Sequence, residues 1–156
     1  WLERSKKLWR RLERGSDFMA EKMLRLRIVT PERRVYEGEV KRVLFESMDG
    51  QMGVLPGHIP LTTVIRTSVF QVEETEKVRE LAVHQGFVEI QADQVTVLTE
   101  TAEWPDEIDM ERAQKAYDRA KERLEHPQDG ITDIQRAQIA LSKALTRMRV
   151  LKKSQE

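Results

Sequence analysis

Val95-Thr-Val-Leu-Thr-Glu-Thr-Ala-Glu-Trp-Pro-Asp-Glu-Ile-Asp-Met-Glu-Arg-Ala113 is the stretch on which the fold turns. At its start Val95 and Val97 alternate with other residues, the period of a strand with one face in a core. Beyond Trp104-Pro105 the period lengthens to about 3.6: Ala113, Ala116, Ala120 and Leu124 form one helical stripe. Ile134, Ala137, Leu141, Ala144, Leu145 and Met148 form a second. The chain therefore divides at Trp104-Pro105 into a β-rich body and a helical end.

Working back from that boundary, apolar residues come in short runs: Leu24, Leu26 and Ile28; Val40 to Phe45; Leu61 to Val72; Leu81 to Ile90. Thr30-Pro31, Asp49-Gly50, Pro56-Gly57, Gly86 and Ala92-Asp93 punctuate them as turns. Short strands at this spacing predict a sandwich or flattened barrel. Pro56, Gly57 and Pro60 are expected to fix a tight corner, and Gly86 to serve a turn or a close backbone approach. Working forward, Pro127-Gln-Asp-Gly130 breaks the helical pattern, and so short a connection folds two helices back as an antiparallel hairpin. Asp106 or Asp109 is the expected cap of the first helix, with a Glu111 to Lys115 pair one turn on. The expected domains are residues 23–104 and 105–156. Alanine stripes allow close approach but bury little area, so the hairpin is expected to be marginal alone and able to leave its resting place.

The 156 residues carry 27 basic and 27 acidic side chains, so uniform attraction to a polyanion such as nucleic acid is not the organising principle. The charge is nonetheless segregated: residues 106–134 hold five Lys/Arg against nine Asp/Glu, and residues 135–156 hold six against one. Such asymmetry speaks of partners rather than of fold. The longest uncharged stretch, Gly50 to Ile65, carries two prolines and is too short to cross a bilayer as a helix. The absence of cysteine removes disulfides and thiol chemistry. Residues 1–22 stand apart: Trp1, Leu2, Leu8, Trp9 and Leu12 share one helical face, with Arg4, Lys6, Lys7, Arg10 and Arg11 around the rest. That basic amphipathic tail suits an anionic membrane or a partner's groove. With Gly15-Ser16-Asp17-Phe18 as a joint before Met19 or Met23, it is expected to be an added peptide, a native extension being the alternative.

Motifs for chemistry are missing. His58, His84 and His126 have no metal-ligand spacing and are expected to be structural or solvated. There is no GxxxxGK[ST], GxGxxG or GxSxG. Asp106, Glu107, Asp109 and Glu111 crowd a helix start, where the helix dipole favours them without catalysis. An enzyme is not expected.

Gly50-Gln-Met-Gly-Val-Leu-Pro-Gly-His-Ile-Pro-Leu61, then Gln85-Gly-Phe-Val-Glu-Ile90, Val95-Thr-Val-Leu98 with Ala102-Glu103, and Ile108-Asp-Met-Glu-Arg-Ala113, in this order, closely resemble the epsilon subunits of bacterial F-type ATP synthases. Thr30-Pro31 followed by Val35-Tyr36-Glu37 resembles the family's opening strands, and the likeness spans residues 23–151. It implies an α+β protein, a ten-stranded β-sandwich followed by a two-helix hairpin. It also implies a non-catalytic rotor subunit whose sandwich binds the gamma subunit and the c-ring of a proton- or sodium-driven enzyme. The hairpin would fold beside the sandwich in one state, and in the other extend along gamma to the alpha/beta head and inhibit ATP hydrolysis. Membrane attachment would come only through the complex, at the cytoplasmic face of a bacterial plasma membrane or, alternatively, the stromal face of a thylakoid. A free-standing interaction module is the competing reading.

The same resemblance implies a regulatory Mg-ATP site on the folded hairpin, made by Glu103, Ile108, Asp109, Arg112, Ala113, Arg119, Lys143 and Arg147. Arg112 and Arg119 are seven apart and Lys143 and Arg147 four apart, so each pair shares a helix face. Folding about residues 127–130 sets Arg112 opposite the neighbourhood of residue 145. Four like charges so placed repel one another, and a polyphosphate relieves the repulsion. Lys143 stands where the ATP-binding relatives carry arginine and offers a point charge instead of a bidentate fork. The alternative is that Asp109 is a cap and the cations a solvated or beta-subunit-facing surface.

Overall fold

The structure, a computed structural model, describes residues 22–126 and 131–155. The amphipathic tail up to residue 21 and the Pro127-Gly130 break lie outside the described residues. Ten strands come first: β1 (Leu24–Val29), β2 (Arg34–Val40), β3 (Arg42–Ser47), β4 (Gly50–Val54), β5 (Leu61–Ile65), β6 (Ser68–Glu73), β7 (Val78–Val83), β8 (Gly86–Ile90), β9 (Gln94–Thr99) and β10 (Ala102–Glu103). After a 3₁₀ turn at Pro105–Glu107 come α1 (Met110–Glu125) and α2 (Ile131–Ser154). The α+β class expected from the sequence is the one observed.

The sheet runs β10-β7-β6-β3-β5-β8-β9-β1-β2, with β4 paired to β3. Among the described pairings β1 with β9 is parallel and the others are antiparallel. The two ends of this order approach each other: Tyr36 of β2 meets Trp104, just past β10, with ring centroids 6.1 Å apart. Arg79 stacks on the same Trp104 ring, 3.8 Å from its centroid. Tyr36 donates its hydroxyl hydrogen to Glu74, and burial, aided by the charge of Glu74 and this bond, pushes the phenol up to about 12. The sheet thereby nearly closes into a flattened barrel.

Period-two patterning fills its interior. Leu24, Leu26 and Ile28 of β1, Phe70 and Val72 of β6, Val88 and Ile90 of β8, and Val95 and Val97 of β9 are buried. Phe45 and Phe70 stack at 5.6 Å in the middle of this core. Several runs read as single units are in fact two strands. Leu61 to Val72 turns at Arg66-Thr67 and Leu81 to Ile90 at His84-Gln85, two-residue polar corners too short to stand out between the apolar strands on either side. Pro56-Gly57 does form a corner: Gly57 takes φ 86°, a left-handed conformation suited to glycine, and its N–H reaches the Ala92 carbonyl at 2.6 Å.

The helices pack against each other along the alanine seam. Ala113 and Ala120 of α1 and Ala137 and Ala144 of α2 are buried, each pair seven apart and equidistant from the break. Helix α2 carries a second face that the stripe does not foretell, with Thr146 and Val150 buried. Val150 joins Ala82 and Ile108 in a small cluster against the sandwich, flanked by Val69 and Leu151.

Candidate functional site

Asp109, not Asp106, caps α1: its Oδ1 accepts from the Arg112 backbone N–H at 3.0 Å, while Asp106 sits in the 3₁₀ turn. Capping turns the chain just where Ile108 sinks against Ala82 and Val150, so the Ile108-Ala113 stretch both starts the helix and ties it to the sandwich. Ala113 faces the seam. The side chains of Arg112 and Arg119 are exposed and make no hydrogen bond or ion pair among the described residues.

The other cations meet carboxylates of the sandwich. Arg147 Nε donates to Glu103 Oε2 at 2.6 Å, and Lys143 Nζ to Glu100 Oε2 at 2.8 Å. Nearly two turns beyond Arg147, Lys153 Nζ reaches Glu80 Oε1 at 2.8 Å. Among the described residues these three ion pairs join α2 to the β7 and β9–β10 edge. Burial pushes the Glu103 carboxyl up, but hydrogen bonds from His84 and Arg147 and the charge of Arg147 outweigh it and hold the group below the usual carboxylate range. The hydrogen bond and charge of Lys143 likewise hold Glu100 low.

Of the residues assigned to a nucleotide site, the fold thus brings Glu103 and Arg147 into direct contact and sets Lys143 one turn away. Arg112 and Arg119 stay in solvent. Two of the four cations are neutralised, so a polyphosphate engaging Lys143 and Arg147 has to displace Glu100 and Glu103. Glu100 and Glu80 escape sequence reading because an ion pair across 43 or 73 residues leaves no periodic trace. No group of residues suited to a metal ion occurs among those described.

The docking of α2 is loose in physical terms. Between α2 and the sheet lies a cavity of about 710 Å³, lined by Leu44, Val69, Leu141, Leu145, Thr146 and Arg149 among others. The apolar contact beside it is small, and two of the ion pairs include a side chain more than half exposed, where salt screens the attraction.

A different surface is apolar. Val64, Phe87 and Leu98 stand directly opposite one another on β5, β8 and β9, and all three are exposed. Leu61 and, in the corner loop, Leu55 and Ile59 are exposed as well.

Comparison with known proteins agrees with this architecture. The family described as "ATP synthase, Delta/Epsilon chain, beta-sandwich domain" matches residues 23–105, and "ATP synthase, Delta/Epsilon chain, long alpha-helix domain" matches residues 106–152. The ATP synthase epsilon chain of Clostridium kluyveri is 44% identical over 135 residues, 86% of this chain and 100% of the relative. That of Halalkalibacterium halodurans is 40% identical over 127 residues, 81% of this chain and 96% of the relative. A chain in the OSCP/F1/c-ring structure of the Euglena gracilis mitochondrial ATP synthase shares the fold, with a TM-score of 0.72 at 22% identity, covering 86% of this chain and 82% of its own. Both halves of the sequence, strands and helices alike, therefore place the chain in the ATP synthase epsilon-chain family, whose members are non-catalytic subunits of that enzyme.

Proposed function

We propose that this chain is a central-stalk rotor subunit of a proton- or sodium-translocating F-type ATP synthase. Residues 23–104 seat on the gamma subunit and the c-ring, and residues 105–156 form a regulatory arm. Docked, as here, the arm leaves the catalytic head free; extended along gamma toward the alpha and beta subunits, it inhibits ATP hydrolysis. The complex holds the chain at the cytoplasmic face of a bacterial plasma membrane. Among the described residues no helix is long and apolar enough to cross a membrane, which suits attachment through partners.

The observation that carries this reading is how α2 is held: by a small apolar cluster and three ion pairs, beside a wide cavity. Contacts of that kind are replaceable, so two packings separated by little free energy are physically reasonable. The test is ATP hydrolysis by a head reconstituted with the intact chain and with a chain ending at Glu103. Removal of the arm is expected to raise hydrolysis several-fold; equal rates overturn the regulatory role.

Mg-ATP is the ligand proposed to favour the docked arm, held by Arg112, Arg119, Lys143 and Arg147 around its phosphates, with Glu103, Ile108, Asp109 and Ala113 shaping the site. A ligand that binds one state only stabilises that state by mass action. Titration calorimetry is expected to show binding at or below millimolar Mg-ATP, and Arg112→Ala to weaken it at least about tenfold, the loss of one charge-assisted phosphate contact. Absence of heat with the unaltered chain at millimolar Mg-ATP overturns nucleotide binding while leaving the arm itself intact.

A further inference from the structure

His84, in the turn after β7, is fully buried. Its backbone is fixed, the N–H donating to the Thr101 carbonyl at 3.0 Å and the carbonyl accepting from the Thr99 hydroxyl. Its ring Nε2 lies 3.2 Å from Glu103 Oε2, the same oxygen that receives Arg147 Nε at 2.6 Å. Its Nδ1 is buried without a partner among the described residues. We propose that His84 is a proton-operated release for the helical arm: a proton on its ring favours the undocked hairpin. This rests on the two-state arm proposed above.

The tautomer follows from the hydrogen bonds: neutral His84 carries its proton on Nε2 and donates it to Glu103. A second proton must go to Nδ1, which is buried and meets no acceptor among the described residues. It also sets a positive ring beside the Arg147 guanidinium on a single shared oxygen. The charged groups brought to His84 are Glu103 from β10, Glu100 from the turn after β9, and Arg147 and Lys143 from α2. Glu107, nearby in the 3₁₀ turn, is occupied by Arg33 and the Trp104 N–H. Among the described residues, α1 contributes no charged group.

When α2 departs, Arg147 and Lys143 leave with it, and His84 faces two unpaired carboxylates along an edge opened to water. Each change favours the charged ring. The attraction between protonated His84 and Glu103 lies wholly inside the sandwich, so it does nothing to retain the arm; it competes with the contact that does. Protons therefore bind preferentially to the released state, and the docked-to-released ratio falls as pH falls.

The chain has no cysteine, so Glu89→Cys with Gln135→Cys, both at exposed positions, accepts one donor and one acceptor dye for energy transfer across the interface. Between about pH 8 and pH 5.5 the docked-to-released ratio of the full chain is expected to drop about tenfold, or about 1.4 kcal/mol of differential proton binding. His84→Gln keeps an amide donor toward Glu103 but takes up no proton, and is expected to hold the ratio nearly level. Lys143→Ala with Arg147→Ala is expected to release the arm already at pH 8. Should that double variant leave energy transfer unchanged at every pH, the two-state arm fails and the release with it. Should it undock the arm while the unsubstituted chain stays level with pH, or while His84→Gln titrates like it, the His84 proposal alone is overturned. In the unsubstituted chain the His84 ring proton shift, followed by NMR, has to titrate in step with energy transfer; titration out of step is equally fatal to the proposal, whether or not His84→Gln folds.

Discussion

Gly86→Ala is expected to cost about 3 kcal/mol of stability or more, enough to leave the sandwich largely unfolded if its margin is ordinary. A Cβ at this position would stand 2.1 Å from the Leu98 carbonyl oxygen and 2.7 Å from Thr99 Cα. Both are backbone atoms of β9, so no side-chain rotation relieves the clash. Retreat of β8 is blocked as well, because Gly86 pairs with Thr99 on one side and Ile65 on the other. Separating β8 from β9 would also disturb Thr99, whose hydroxyl holds the His84 turn. Urea denaturation checks this: with a slope of about 1–3 kcal/mol per molar, the midpoint should fall by about 1–3 M. Gly53→Ala is the control, since its Cβ would meet only Leu44 Cδ1 at 3.5 Å, an ordinary contact. A change within about 0.5 kcal/mol for Gly86→Ala, the usual range of harmless surface substitutions, would refute the close approach.

Phe87→Glu combined with Leu98→Glu is expected to weaken assembly with the gamma subunit at least about 100-fold, while leaving the melting of the isolated chain nearly unchanged. The two effects separate because these side chains lie outside the core: Phe87 is 57% and Leu98 52% exposed, whereas the neighbouring Val88 and Val97 are fully buried. Val64, Phe87 and Leu98 are cross-strand neighbours on one face, so they form a continuous apolar stripe over β5, β8 and β9. An apolar stripe on a rigid sheet is what a partner surface buries, and two carboxylates introduced there would lose their water without gaining counter-charges. Co-purification with gamma, set beside thermal melting of the free chain, reads both quantities. Unaltered assembly would show that gamma seats elsewhere on the sandwich.

How much of this was legible in the sequence depends on the kind of signal. Strands such as β1, with Leu24, Leu26 and Ile28 inward, announce themselves by alternation, and the Ala113/Ala120 and Ala137/Ala144 seam by its helical period. Strand β4 does not: among Gly50, Gln51, Met52, Gly53 and Val54 only Val54 is fully buried, and two glycines suggest a turn rather than a strand. Strand β10 is two residues long, too short for any period. The turn at Arg66-Thr67 carries neither Gly nor Pro, and the flanking strands are both apolar, so one run conceals two strands. In helix α2 the seam accounts for the visible stripe, while Thr146 and Val150, which face the sandwich, lie out of its phase.

The candidate site shows the same division. Asp109 as a cap follows from residue type and position, and the Ile108-Ala113 motif carries the family resemblance. The pairing of Lys143 with Glu100 and of Arg147 with Glu103 depends on how α2 lies across the sheet, a tertiary fact that no local pattern encodes. The burial of His84 is hidden similarly: a histidine between two strands looks like a solvated turn residue until the arm covers the edge beside it.

The parallel partnership of β1 with β9 has a consequence for biosynthesis. Residues 24–29 emerge early and form a ladder with β2, yet their other edge stays unpaired until residues 94–98 have been translated. At about 5–20 residues per second that interval lasts roughly 3–13 s, during which the nascent chain presents an open, apolar strand edge beside the ribosome. Shielding of that edge by a chaperone, or a slowing of its premature pairing with neighbouring chains, should therefore matter most before the ninth strand appears.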